Sequence, residues 1–218
     1  MSLTEQLSAQ AAQYRAQLPD EVLEKMARTT ADLAVSGIVD RSLKAGDRAS
    51  NFTLPNAVGK DVQLSELLAD GPVVLSFYRG QWCPYCNLEL RALQEALPDI
   101  TAAGANLVAI SPQTPDRSLS TVEKNELTFE VLSDVGNRVA RQYGLVFTLP
   151  EELRPIYASF GIDVPAHNGD ETFELPLAAT YVIAPNGIIA HAFINADYKQ
   201  RLEPANIIAV LKALAVAA

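Results

Sequence analysis

The chain holds two cysteines, Cys83 and Cys86, separated only by Pro84 and Tyr85. Thiols at i and i+3 lie on one side of a helical turn, close enough to join as a disulfide without unwinding it. Such a bridge closes almost no loop and stabilises little, so the pair serves chemistry or a metal rather than a structural staple. The cysteines end the segment Arg79-Gly-Gln-Trp-Cys-Pro-Tyr-Cys86, which follows the apolar run Val73-Val-Leu-Ser-Phe-Tyr78. Leu88, Leu90, Leu93, Ala96 and Leu97 then recur with helical spacing, so a strand hands over to a helix at the thiols. Free backbone N–H groups and the positive end of the helix dipole stabilise a thiolate there, and a lowered thiol pKa is expected. Pro84 suits the first turn, where its missing N–H costs nothing.

Two blander readings compete. Structural cysteines at this spacing would sit on an apolar helical face, whereas these are flanked by Gln81, Trp82, Pro84 and Tyr85. Half a zinc site would need two further ligands, and the only histidines, His167 and His191, are isolated in sequence. No metal and no cofactor are therefore expected. Trp82 is either core or a contact surface for a partner's disulfide. Arg79 is either a solvated loop cation or a charge that stabilises the thiolate.

The elements that must carry this segment read as an α/β arrangement. Residues 3–18 place Leu3, Leu7, Ala11, Tyr14 and Leu18 on one helical face, Pro19-Asp20 stops that helix and starts another, and the second runs over about 20–35. Residues 1–44 form a helical N-terminal extension whose faces pack on the main domain, residues 45–218, or, as a heptad-like stripe, join a homodimer. From Asp47 the texture turns β-rich, with Asn51-Phe-Thr-Leu54 and a turn at Val58–Asp61. The strand at 73–78 is apolar throughout, as in a central strand covered on both faces. After the thiols come a strand at 107–110, a loop over 111–118, a helix near 118–126, a strand at 129–132 and a helix near 135–143. Residues 144–176 read as a long irregular excursion with one helix at about 150–160, a length that points to a functional or interfacial segment. Thr180–Ile183 and Ile188–Ile194 form a hairpin around Pro185-Asn-Gly187, and a helix over 204–217 follows.

Composition excludes several classes. At 49% hydrophobic and 20% charged the chain reads as globular, and a net charge of −9 repels nucleic acid. The longest apolar run, Ile207–Ala218, is broken by Lys212 and falls short of the roughly 20 residues that span a bilayer. Residues 1–30 carry Glu5, Gln6, Gln10 and Gln13 where a secretory signal needs a basic start and an apolar core. A cytoplasmic location, away from membranes, is the expectation.

Trp82-Cys-Pro-Tyr-Cys86 resembles the active-site motif of the thioredoxin superfamily, and Cys-Pro-Tyr-Cys is the form usual in glutaredoxins. The wider context resembles peroxiredoxins, of the alkyl hydroperoxide reductase and thiol-specific antioxidant type: Asp47–Leu54 is similar to their opening segment, Phe77-Tyr78 precedes the site as theirs does, and Ile110-Ser-Pro112 and Phe129-Glu-Val-Leu-Ser-Asp134 match their following strands. The likeness covers about 45–215 and implies a thioredoxin-like fold, a mixed central sheet flanked by helices. On the peroxiredoxin pattern Pro-x-x-x-Thr-x-x-Cys, Arg79 stands for the proline, Cys83 for the threonine and Cys86 for the cysteine that attacks peroxide, with Glu89 where many members have Glu. The glutaredoxin register implies the reverse order, Cys83 attacking and Cys86 resolving. The arginine that peroxiredoxins carry ahead of a late strand, or the thioredoxin cis-proline, falls on Ala178 here, and Pro176 lies two residues too early.

The resemblance implies a thiol-dependent peroxidase that uses the Cys83/Cys86 pair, supported by Arg79, Trp82, Pro84, Tyr85 and Tyr78. Its partners would be a hydroperoxide or disulfide substrate and a thioredoxin- or glutathione-type thiol donor. The alternatives are a protein-disulfide reductase without peroxidase activity and a redox-sensing interaction module. On peroxide, the flanking strands favour Cys86 for attack and Cys83 for resolution.

Overall fold

A computed structural model describes residues 1–217. Helix α1, Leu3–Gln17, starts on a capping box in which the Ser2 hydroxyl accepts from the Glu5 N–H and the Glu5 carboxylate accepts from the Ser2 N–H. Its buried face, Leu3 and Leu7, lies in the same core cluster as Leu90 and Leu93. Pro19 precedes α2, Asp20–Val35, and after Gly37 the chain makes one more turn, α3, Ile38–Arg41. The apolar run at 51–54 and the following turn become a short antiparallel hairpin, β1, Thr53–Pro55, and β2, Asp61–Gln63. Helix α4, Leu64–Asp70, for which the sequence reading made no provision, returns the chain to the central strand β3, Val73–Phe77.

Strand β3 is buried throughout, with Val73, Val74, Leu75 and Phe77 fully covered, each contributing roughly 1.5–3 kcal/mol by leaving water. It is followed by α5, Pro84–Ala102, β4, Asn106–Ser111, α6, Pro115–Asn125, β5, Glu130–Ser133, and α7, Arg138–Gln142. Helix α6 begins three residues before the expected 118 because Pro115 takes the first helical position. Helix α7 is shorter than the expected 135–143, since Gly136 and Asn137 adopt left-handed backbone immediately before it.

Residues 144–176 are not irregular. Strands β6, Val146–Thr148, and β7, Glu174–Pro176, pair antiparallel and form a stem. A 3-10 turn at Glu151–Leu153, α8, Arg154–Ser159, and α9, Val164–Asn168, fold between them around their own core of Leu149, Leu153, Tyr157, Val164 and Leu175. The expected hairpin is present as β8, Ala179–Ile183, and β9, Ile189–Ile194, and the described chain finishes in α10, Pro204–Ala217.

The central sheet has the order β5-β4-β3-β8-β9, with β3, β4 and β5 parallel and β8 and β9 antiparallel to their neighbours. One core cluster unites its side chains with α1, α5 and α10; the other covers the opposite face with residues of β1, β2, α4 and α7. This mixed sheet between helices is a thioredoxin-like fold. It puts the C-terminal end of β3, and the thiols that follow, beneath α1 and against the 144–176 segment.

Candidate active site

Cys83 caps α5 and Cys86 lies in its first turn, with Pro84 at the first helical position as the sequence predicts. Both thiols are free and buried, at 1% and 0% exposure. Helices α1 and α2 and residues 157–162 cover Cys83, and what it faces is a cavity. Cys86 does not line this cavity and is fully buried beneath.

Burial opposes a charge on Cys83, but the hydrogen bond from Cys86, the charges of Arg79 and Arg201, and the Cys86 backbone N–H outweigh it and bring the thiol down to about 5. Cys86 moves the other way: burial, then its bond to Cys83 and the Cys83 charge, hold it well above the usual thiol range. The pair thus shares one negative charge, centred on the cavity-side sulfur.

Arg79 is not a solvated loop cation. Its guanidinium is buried against the rings of Tyr198, Trp82 and Tyr157, at 4.2, 4.9 and 5.9 Å from their centroids, and donates to the Tyr157 hydroxyl at 3.2 Å. Trp82 packs edge-on against Tyr157 with centroids 5.6 Å apart. Gly80 makes room for it, because a Cβ there would sit 2.4 Å from the indole Nε1. Tyr85 is buried and tilts against Tyr14 of α1 and Tyr198. Tyr78 directly follows β3 with its hydroxyl turned to α6, accepting from Gln113 at 3.3 Å and meeting Thr121 at 3.5 Å. Tyr78 shares the buried cluster of Cys83 and Cys86, and through Gln113, which accepts from the Gln81 N–H at 2.8 Å, it is also tied to the loop ahead of the thiols.

Ala178 is buried just ahead of β8 and supplies no cation. The cation on the sealed side is Arg201, which follows β9 and which the sequence reading missed. Its Nη2 lies 3.5 Å from the Cys86 Sγ, and its Nε donates to Glu89 at 2.6 Å, with both side chains 1% exposed. Glu89 also accepts from Thr180 at 3.3 Å. Burial, only partly offset by Arg201, still pushes Glu89 up to about 7. No local pattern around Lys199-Gln-Arg201 marks this residue; only the return of the β8–β9 hairpin to the start of α5 brings it to the thiols.

A model of the AhpC/TSA family matches residues 45–192. The chain belongs to the AhpC/TSA family. It is 30% identical to the chloroplastic peroxiredoxin Q of Triticum aestivum over 162 residues, 74% of this chain and 64% of that protein. Against peroxiredoxin Bcp of Escherichia coli the identity is 32% over 103 residues, 47% of this chain and 65% of that protein. Among solved structures, peroxidoxin BcpB from Mycobacterium tuberculosis superposes with a TM-score of 0.62 at 24% identity, over 78% of this chain and 97% of that one, a likeness of fold. As a peroxiredoxin-like member of this family, the protein is a thiol-dependent peroxidase.

Proposed function

We propose that Cys83 is the sulfur that attacks hydroperoxide and Cys86 the one that resolves. The observation that carries this order is that Cys83 is at once the cavity-side sulfur and the one held as a thiolate at neutral pH, while Cys86 is sealed and held protonated. The Cys83 thiolate would take the distal oxygen of ROOH as the O–O bond breaks, a proton going to the departing alkoxide to give ROH and Cys83 sulfenic acid. Cys86 would then attack the sulfenic sulfur, forming the S–S bond and releasing water. Two equivalents of thiol would return the pair to the reduced state. Arg79 and Tyr157 would supply charge and a hydroxyl at the cavity wall, the polarising role that threonine and arginine hold in the family pattern.

The contact between Arg201 and the Cys86 Sγ favours a second reading, the peroxiredoxin register, in which Cys86 attacks and Cys83 resolves. Dimedone trapping with peroxide consumption separates the two. In Cys86→Ser the sulfenic acid should accumulate at Cys83, and Cys83→Ser should lose roughly 10²-fold in its first reaction with peroxide, since a sulfur with a raised pKa is almost wholly protonated at neutral pH. Dimedone on Cys86 of Cys83→Ser at the wild-type rate would establish the second order instead.

We assign this cycle to the cytoplasm, whose thiol donors keep cysteines reduced; among the described residues no helix is long and apolar enough to cross a membrane. In the same reading residues 1–44 are a cover on the body formed by 45–218. The apolar face of α1 is used against α5 within the chain, so the cycle calls for one chain only.

A further inference from the structure

The cavity in front of Cys83 has a volume of about 380 Å³ and is walled on its outer side by Tyr14 and Leu18 of the first helix and its elbow, and by Met26 of α2. That size falls in the roughly 300–1,000 Å³ range of small-molecule sites. Apart from Gln17 and Cys83 its other walls are aromatic and aliphatic, and Arg79 is the one cationic residue that lines it among the described residues. Arg79 has no carboxylate within salt-bridge reach among the described residues, and its buried Nε has no hydrogen-bond partner. A buried cation without a counter-charge is strongly unfavourable. In the reduced protein the Cys83 thiolate is that counter-charge. Disulfide formation removes it: neither sulfur of a disulfide carries charge, while Arg79 stays cationic. Arg201 does not share this fate, because Glu89 remains beside it in both redox states. Oxidation therefore turns the cavity into a site that demands an anion.

We propose that the oxidised cavity binds small thiols bearing a carboxylate, the carboxylate at Arg79 and the sulfur at Cys83, and that these rather than protein dithiols reduce the enzyme. The inference rests on the Cys83–Cys86 redox pair of the preceding section but holds whichever sulfur meets peroxide first. The thiolate of the donor attacks the Cys83 Sγ from the cavity, the Cys83–Cys86 bond breaks, and Cys86 leaves with the electron pair and takes up a proton. A second donor thiolate attacks the donor sulfur of the mixed disulfide, releasing the donor disulfide and the Cys83 thiolate. Two thiols are oxidised and one protein disulfide is reduced. A protein donor presents its sulfur on a bulky surface, and with Cys83 1% exposed the elbow between α1 and α2 stands in its way.

The test starts from protein oxidised with diamide, the Cys83–Cys86 bond being verified by intact mass. Re-reduction is followed by stopped-flow fluorescence of Trp82, the only tryptophan, and in parallel by acid-quenched alkylation and mass. The donors are 3-mercaptopropionate, 2-mercaptoethanol and cysteamine, anionic, neutral and cationic, with each rate normalised to thiolate concentration, and a thioredoxin as the protein dithiol. The anionic thiol should be faster than the neutral one by about tenfold or more, a modest share of what adjacent unit charges exchange in a partly buried site. Cysteamine should be slowest of the three. Arg79→Met should abolish the ranking and Arg79→Lys should retain part of it, with circular dichroism verifying the fold of each. Equal normalised rates in wild type, or a faster reaction with thioredoxin than with mercaptopropionate, overturns the proposal. Failure of diamide to join the two cysteines overturns the redox-pair reading itself, and this proposal with it.

Discussion

Two buried arginines flank one pair of sulfurs, and they are solvated by the protein in opposite ways. Arg201, on the sealed side, has a carboxylate 2.6 Å away and carbonyls of Tyr198 and Gln200 around it. Arg79, on the cavity side, has three aromatic faces and a single phenolic oxygen. The charge of Arg201 is shared between Glu89 and the sulfurs, and it favours a thiolate on both Cys86 and Cys83. A guanidinium held by rings keeps its charge available, and that charge falls on Cys83. Both charges favour a thiolate on either sulfur; the thiols part because the bond from Cys86 helps bring Cys83 down to about 5, while burial, that same bond and the Cys83 charge push Cys86 up.

The sharpest way to break this contrast is to unpair the sealed side. Arg201→Met leaves Glu89 buried beside Thr180 without its cation, and removal of one partner of a buried pair costs about 3–5 kcal/mol. The double change Arg201→Met with Glu89→Leu should recover most of that loss. Urea unfolding of the two single variants and the double variant measures the coupling; a double variant no more stable than Arg201→Met shows that the pair is not what holds this side. On the cavity side, Arg79→Met in the oxidised protein should cost far less, because the loss of about 0.5–2 kcal/mol of cation–ring contact is offset by removal of a buried cation that has no counter-charge there. A loss as large as that of Arg201→Met would erase the distinction between the two arginines.

A third expectation concerns pH. Cys83 is lowered in the folded protein, so between about pH 5 and the ordinary thiol value near 8.5 the unfolded chain binds the extra proton. Reduced protein therefore gains stability from this group as pH rises through that window, and loses it as pH falls through about 5. Glu89, raised to about 7, works oppositely: its contribution is present at low pH and is lost as pH rises through about 7. Glu89 is present in both redox states, so the stability of reduced minus oxidised protein, followed from pH 5 to 8.5, should rise and isolate the thiol. Iodoacetamide modification of Cys83 in Cys86→Ser should titrate well below the ordinary range in wild-type context and move upward by about one unit, some 1.4 kcal/mol, in Arg79→Met. No upward movement would mean that the aromatic-held charge does not reach Cys83.

Much of this architecture is written locally in the chain. The run Val73–Tyr78, the Pro84 start and the spacing of Leu90 and Leu93 dictate strand, turn and helix through period and capping, because each is a property of contiguous residues. The β8–β9 hairpin was legible for the same reason, from two apolar runs about Pro185-Asn-Gly187. The order of 144–176 was not: its stem pairs Val146–Thr148 with Glu174–Pro176, short strands whose partner lies too far along the chain for any local signal. The site divides in the same way. Cysteine type and spacing fix two neighbouring thiols at a helix start, since that position needs only the first turn of backbone. Which sulfur carries the charge depends on Arg201, some 115 positions beyond Cys86, on Tyr157 and Tyr198 around Arg79, and on the α1–α2 elbow that hides Cys83 from solvent. Charge, burial and access at a point in space are sums over everything packed there, and only the folded chain brings those residues to the two sulfurs that the sequence already named.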